Sequence, residues 1–306
     1  MSPSTRPADI PVSEELFAPV HQGVELCYQT FGDPDDEPLL LVMGLGGPMT
    51  WWDPELCRQL AARGHYVIRY DNRDTGRSTR MKDRVGRTAL VRAFAGRGPR
   101  PPYTLTDMAA DGLGLLDHLG LDGAHVVGIS MGGMIVQNMA ISAPDRVRSL
   151  TSIMSTTGKR SVGWQHPRLL PTLLARRGSG REAYAAGSAR MWELIGSPAY
   201  PQSDDEVLAR AFETFDRGVS ASGVMRQMLA ILAEPNRGPR LRALSMPALV
   251  VHGAADRMVH VSGGRATARA IPGAELLVVE GMGHDLPRDL YPTFVDAITR
   301  TTHRAG

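Results

Sequence analysis

The residues with the plainest chemistry are a serine between glycines, Gly128-Ile129-Ser130-Met131-Gly132. The apolar run Ala124 to Ile129 leads into it and the apolar stretch Met131 to Ser142 leads out. A serine on a sharp strand-to-helix turn projects its hydroxyl above the sheet, and the glycines avoid collisions across the turn. The helix that begins there aims free N–H groups at the place where negative charge would develop. A glycine-rich turn with no chemistry is the plain alternative, and the context of strand and helix argues against it.

A serine hydroxyl needs a base, and a nucleophile so placed takes its acid and then its histidine from later strands. Downstream of Ser130 lie His166, His252, His260, His284 and His303. His284 stands in Gly281-Met282-Gly283-His284-Asp285, directly after the apolar run Leu276 to Val279. A loop at the carboxyl end of a strand is where a doubly wound sheet holds its ligands. His284 is therefore the expected base, and the other four are expected to be surface or packing residues. Asp256 follows the run Ala248 to Val251 and is the expected acid, orienting the imidazole and stabilising its charged form. Asp285 competes, but neighbouring side chains in a loop seldom converge.

The oxyanion of a tetrahedral intermediate needs donors. The expected pair is the N–H of Met131, next to the nucleophile, and that of Leu45, in Met43-Gly44-Leu45-Gly46-Gly47-Pro48 after the run Pro38 to Met43. Gly44 lets that backbone approach a substrate. Trp51 and Trp52 follow the same loop and are expected to line an acyl pocket or to pack; Met258 lies beside Asp256 and joins them as a candidate substrate contact. Methionine fills irregular apolar space. Core filling is the expected role of most of Met49, Met131, Met134, Met154 and Met282.

The elements that position these residues alternate. Strands are expected at Val24 to Phe31 (an edge), Pro38 to Met43, His65 to Tyr70, Ala124 to Ile129, Val147 to Met154, Ala248 to Val251 and Leu276 to Val279. Helices are expected at Trp51 to Arg63, Thr106 to Leu119 with Thr106 as N-cap, Met131 to Ser142, Gly263 to Ala270 and Leu290 to Thr301. Strands separated by helices mean crossovers and a mostly parallel sheet flanked by helices. The domain plan is a loose arm over 1–20, a core over 21–155 and 244–306, and a helical cap or lid inserted at 156–243.

With those motifs in hand, the chain resembles the α/β-hydrolase superfamily over about 22–155 and 245–300. The segment Ile68-Arg69-Tyr70-Asp71-Asn72-Arg73-Asp74-Thr75-Gly76-Arg77-Ser78, with LLLVMG, HVVGISMGG and GMGH, is similar to the actinobacterial Lip-type lipase/esterases and aclacinomycin methylesterases. Met43 stands where the superfamily often has the histidine of a His-Gly oxyanion loop, as in that closer group. The resemblance implies carboxylic-ester hydrolysis through an acyl-enzyme. It weakens over 156–243, where a substrate would be chosen. Superfamily members with an aspartate nucleophile, the epoxide hydrolases and haloalkane dehalogenases, are argued against by Ser130. Thioesterase, lactonase, cofactor-free haloperoxidase and non-catalytic ligand-binding readings remain open.

The 306 residues suffice for a core without disulfide or metal staples, and a net charge of +2 implies no nucleic-acid partner. Cys27 and Cys57 are the only cysteines, which fits a reducing compartment, and no secretory leader or membrane-spanning run is legible, so a cytoplasmic protein is expected. No dinucleotide fingerprint, phosphate loop or metal spacing is present, so neither cofactor nor metal is expected. The expected partner is a small ester with an apolar group; the oligomeric state is not legible. Between residues 73 and 100 nine basic residues face two acidic ones, with Leu90, Val91 and Phe94 among them. A solvated loop is the plain reading and an interfacial helix on anionic lipid the sharper one.

Overall fold

The computed structural model describes residues 6–169, 171–172 and 180–305. Eight strands form one sheet: β1 Leu16–Pro19, β2 Glu25–Phe31, β3 Glu37–Val42, β4 His65–Tyr70, β5 Ala124–Ile129, β6 Val147–Ile153, β7 Ala248–Gly253 and β8 Glu275–Val279. The order is β1-β2-β4-β3-β5-β6-β7-β8, with β1–β2 and β2–β4 antiparallel and every later pair parallel. The helices include α1 Pro54–Ala61, α2 Arg87–Phe94, α3 Leu105–His118, α4 Met131–Ser142, α5 Arg181–Ile195, α6 Asp204–Gly218, α7 Ala221–Ala233, α8 Gly238–Leu241, α9 Ser262–Ala270 and α10 Tyr291–Thr302.

The central strands β4 and β5 are buried at every residue, and each holds consecutive apolar residues, Tyr66 to Ile68 and Val126 to Val127, in place of strict alternation. Two apolar clusters fill the two faces of the sheet. Leu40, Val42, Ile68 and Val126 point to one, against α3 and α4. Leu39, Leu41, Val67 and Val127 point to the other, against α1 and α10. The period-two alternation along β3 thus divides one apolar run between two cores.

The loose arm expected over 1–20 is corrected where the chain is described. Leu16–Pro19 pairs with β2 and forms the edge of the sheet, so β2 is an inner strand. Ser13 also ties the arm down, its Oγ taking the Thr30 N–H at 3.0 Å. Four residues are too few to display a period. Residues 1–5 of the expected arm lie outside the described residues.

Two helix starts also move. Thr104, not Thr106, caps α3, accepting from the Asp107 N–H at 3.1 Å while Asp107 reciprocates on the Thr104 backbone. The helix expected from Trp51 begins at Pro54, because Asp53 accepts the Glu55 N–H and Pro54 takes the first position.

Between β6 and β7 the described chain is helical, α5 to α8. Its attachment to the sheet is ionic. Asp71, just past β4, pairs with Arg217 of α6 at 2.7 Å. Asp74 pairs with Arg226 of α7 at 2.6 Å and also accepts from Tyr103 Oη at 2.6 Å. Arg73 turns the other way and pairs with Asp111 of α3 at 2.5 Å. Five of the six residues are buried, and Arg217 exposes only 6% of its side chain. Removing one member of such a pair leaves its partner desolvated and alone. Arg226→Ala is therefore expected to cost about 3–5 kcal/mol, read as a lowered urea midpoint at unchanged denaturant slope.

Candidate active site

Ser130 sits between β5 and α4 with φ 55° and ψ −116°. This is left-handed backbone for a residue with a Cβ, and it costs on the order of 1–3 kcal/mol. The turn is pinned by the Ser130 N–H donating to Ile153 O at 2.9 Å and by Ser155 Oγ donating to Ser130 O at 2.7 Å. A Cβ on Gly128 would overlap the Gly132 carbonyl, and one on Gly132 would overlap the Val42 carbonyl. These two glycines let helix, turn and β3 approach one another closely enough to hold the strain.

His284 lies on the loop between β8 and α10. Its N–H donates to Ile195 O at 2.7 Å, which ties the loop to the end of α5. Its Nδ1–H donates to Asp256 Oδ2 at 2.8 Å, and its Nε2 faces Ser130 Oγ at 3.1 Å. The donation from Nδ1 leaves Nε2 as the acceptor, the tautomer a general base requires. Asp256 follows β7, and its Oδ1 takes the N–H groups of Met258 and Val259 at 2.8 and 2.9 Å. Burial by itself would raise the Asp256 carboxyl; the electrostatic interaction with His284 and hydrogen bonds from His252 and His284 outweigh it and hold the group well below the carboxylate range.

The competitor Asp285 turns away from this chain. It accepts from Ser197 Oγ and from Gln202 Nε2, the latter at 3.1 Å, and joins the histidine loop to the segment after α5. Among the other histidines, His260 stacks on Trp164 at 4.0 Å between ring centres, and His303 is exposed beyond α10. His252 is fully buried and touches Asp256, a contact the sequence reading did not anticipate.

The loop after β3 stands against Ser130. A Cβ on Gly44 would lie 3.2 Å from Ser130 Cβ. Gly44–Gly47 form a tight turn, with the Gly47 N–H donating to Gly44 O at 3.2 Å and Gly46 at φ 64°. Asn72 Nδ2 holds the Met43 carbonyl at 2.9 Å, and Gln227 of α7 takes the Gly46 N–H at 2.9 Å. Among the described residues no protein acceptor takes the Leu45 or Met131 N–H. Asn72 and Gln227 were missed in the sequence. Asn72 sits in the polar run after β4, a usable signal, whereas nothing local marks Gln227.

The two tryptophans separate. Trp51 stays half-buried; its Nε1 donates to Thr214 Oγ1 of α6 at 2.9 Å, and its ring meets Trp192 of α5 edge-on at 5.5 Å. Trp52 is wholly buried in the core beside Leu56 and Phe31, so its expected place in a substrate pocket is corrected: it packs. Met258 is partly exposed, with its sulfur 3.5 Å from Gln165 Nε2.

A family model described as the alpha/beta hydrolase fold matches residues 37–287. The chain therefore belongs to the α/β-hydrolase family. It is 32% identical over 302 residues to the rhodomycin D methylesterase DnrP of Streptomyces peucetius, covering 92% of this chain and 96% of that protein. It is 29% identical to the 3-oxoadipate enol-lactonase 2 of Acinetobacter baylyi, over 85% of this chain and 86% of the relative. A thermophilic esterase from Thermogutta terrifontis superposes with a TM-score of 0.72 at 22% identity, over 96% of this chain and 99% of that one.

Two outcomes follow from this geometry. Asp256→Asn should keep the fold but lower the rate of Ser130 chemistry by at least about 10³-fold, in single-turnover kinetics. The depressed Asp256 carboxyl stabilises the fold above its ordinary unfolded value of about 4 and loses that contribution as pH falls toward the folded value. The urea-midpoint gap between parent and Asp256→Asn should therefore be widest above pH ~4 and shrink below it.

Proposed function

We propose that the chain is a serine esterase working through an acyl-enzyme, with Ser130 as nucleophile, His284 as general base and acid, and Asp256 as its orienting carboxylate. The single observation that carries this reading is the unbroken relay of 2.8 and 3.1 Å from Asp256 through His284 to Ser130. His284 takes the Ser130 proton as Oγ attacks the ester carbonyl. The Leu45 and Met131 amides receive the oxyanion, each worth on the order of 3 kcal/mol in the transition state. His284 then protonates the leaving alcohol, and water frees the acid by the same steps in reverse.

Helices α5 to α7 act as a cap that selects a small ester with an apolar group; Trp51, which meets Trp192 of α5, and the partly exposed Met258, two residues past Asp256, supply its apolar surface. Likeness to a methylesterase over most of both chains favours a carboxylic ester, and a methyl ester is a natural first choice. Thioesters and lactones enter by the same acyl transfer, and the enol-lactonase relative keeps the lactone in play. Buried, unpaired Cys27 and Cys57 support a cytoplasmic location.

The basic stretch also takes a role in this reading. Arg87, Val91 and Phe94 share the outer face of α2, with Val91 70% and Phe94 74% exposed. Among the described residues Lys82, Arg84, Arg87, Arg92, Arg97 and Arg100 have no carboxylate partner. This helix would let the enzyme rest on an anionic lipid surface. It should sediment with phosphatidylglycerol-containing vesicles and lose that binding in Val91→Ser/Phe94→Ser; equal binding to neutral vesicles would remove the lipid role.

For the chemistry itself, parent and Ser130→Ala are compared on p-nitrophenyl esters from acetate to laurate. The parent should turn over, and the variant should fall by at least about 10³-fold. Activity retained in the variant would remove Ser130 from the role. Slow stoichiometric acylation without turnover would favour a ligand-binding protein.

A further inference from the structure

We propose that His252, buried at the end of β7, is a positioning residue for Asp256: its Nε2–H is shared between the Val259 carbonyl and the Asp256 carboxylate, which holds the acid square to His284. The inference rests on the esterase reading of the triad, and no relay member is reassigned.

The argument begins with which ring nitrogen can do anything. His252 Nε2 lies 2.7 Å from Val259 O and 3.4 Å from Asp256 Oδ2. Both are acceptors, so the proton belongs on Nε2. Nδ1 is buried among the described residues without a partner. It lies over Gly264 of α9, where any Cβ would collide with it, so the glycine is the space the ring needs.

The contacts close a small circuit. Asp256 Oδ1 takes the Met258 and Val259 N–H groups, and the Val259 carbonyl takes His252. Asp256 Oδ2 faces His284 on one side and His252 on the other. Without His252, Oδ1 would still be held, but Oδ2 would keep only His284, and the carboxylate would be freer to twist about its last torsion. The Nε2–H also draws charge from Oδ2, which tempers its pull on the His284 Nδ1 proton. His260, on the loop after β7, interacts electrostatically with this ring and in turn with Arg265 of α9.

A packing role and a positioning role separate cleanly by substitution. His252→Gln can return an N–H near the Nε2 position; His252→Phe fills the space without one. Three readouts are taken on each: the kcat/KM–pH profile on a p-nitrophenyl ester, the downfield proton resonance of the His284–Asp256 hydrogen bond, and the thermal midpoint. In His252→Phe, kcat should fall by about 10- to 100-fold. The acid limb of the profile should move to higher pH, and the resonance should shift or broaden. His252→Gln should stay within about threefold of the parent, with limb and resonance in place.

Equal losses in the two variants, or a Phe variant whose limb and resonance do not move, would overturn the proposal and leave His252 as packing. A parent that hydrolyses no ester would defeat the esterase reading instead. The resonance then still decides His252, because it is observed in the free protein.

Discussion

The strained backbone of Ser130 is the constraint on which the rest of the structure depends. A residue with a side chain at φ 55° needs its surroundings to over-determine it. Three elements do so: the β6 carbonyl of Ile153, the Ser155 hydroxyl, and the bare Cα atoms of Gly128 and Gly132 that admit the helix and β3. The parallel sheet is what brings these together. β3, β5 and β6 are neighbours, so the loops at their carboxyl ends meet at one point. β7 and β8 come next in order, and they deliver Asp256 and His284 to the same edge. The strain is thus a product of strand order, and Ser130 is left partly exposed at the carboxyl edge of the sheet.

The helices between β6 and β7 join this frame through charge. Arg217 and Arg226 are almost wholly buried against Asp71 and Asp74. A buried pair of this kind contributes little net stability over an apolar replacement, but it penalises any arrangement that separates the charges. Register between helices and sheet is therefore what these pairs supply. Register matters because α7 also sends Gln227 to the Gly46 N–H and α5 sends the Ile195 carbonyl to His284. The same helices hold the Gly44–Gly47 loop and the His284 loop.

Much of this was legible in the sequence because the signals are local. The run of β5, the glycines around Ser130 and the strand-end loops that carry Asp256 and His284 each lie within a short segment. Continuous apolar strands mark a sheet covered on both faces, and α4 kept its expected limits to the residue. What was not legible is set by contacts between distant segments. β1 is too short to carry a period and exists through its pairing with β2. Thr104 is the exception, because its capping partner Asp107 stands only three residues on and the signal was local. Trp51 and Trp52 are adjacent and alike in sequence, but the turn before α1 sends one toward α5 and α6 and the other into the core. His252 read as a packing histidine, which its burial supports; only the return of the chain at Val259 puts a carbonyl against its ring. Asp71 and Asp74 were visible as charges in a marked segment, while their arginine partners lie some 150 residues away in sequence, at Arg217 and Arg226.

The measurement that tests the central claim most directly is the crystal structure of the protein after reaction with a p-nitrophenyl alkylphosphonate. The account predicts a single covalent adduct on Ser130 Oγ, with the phosphonyl oxygen between the Leu45 and Met131 amides and His284 still bonded to Asp256. An unmodified Ser130, or an adduct on another residue, would contradict it.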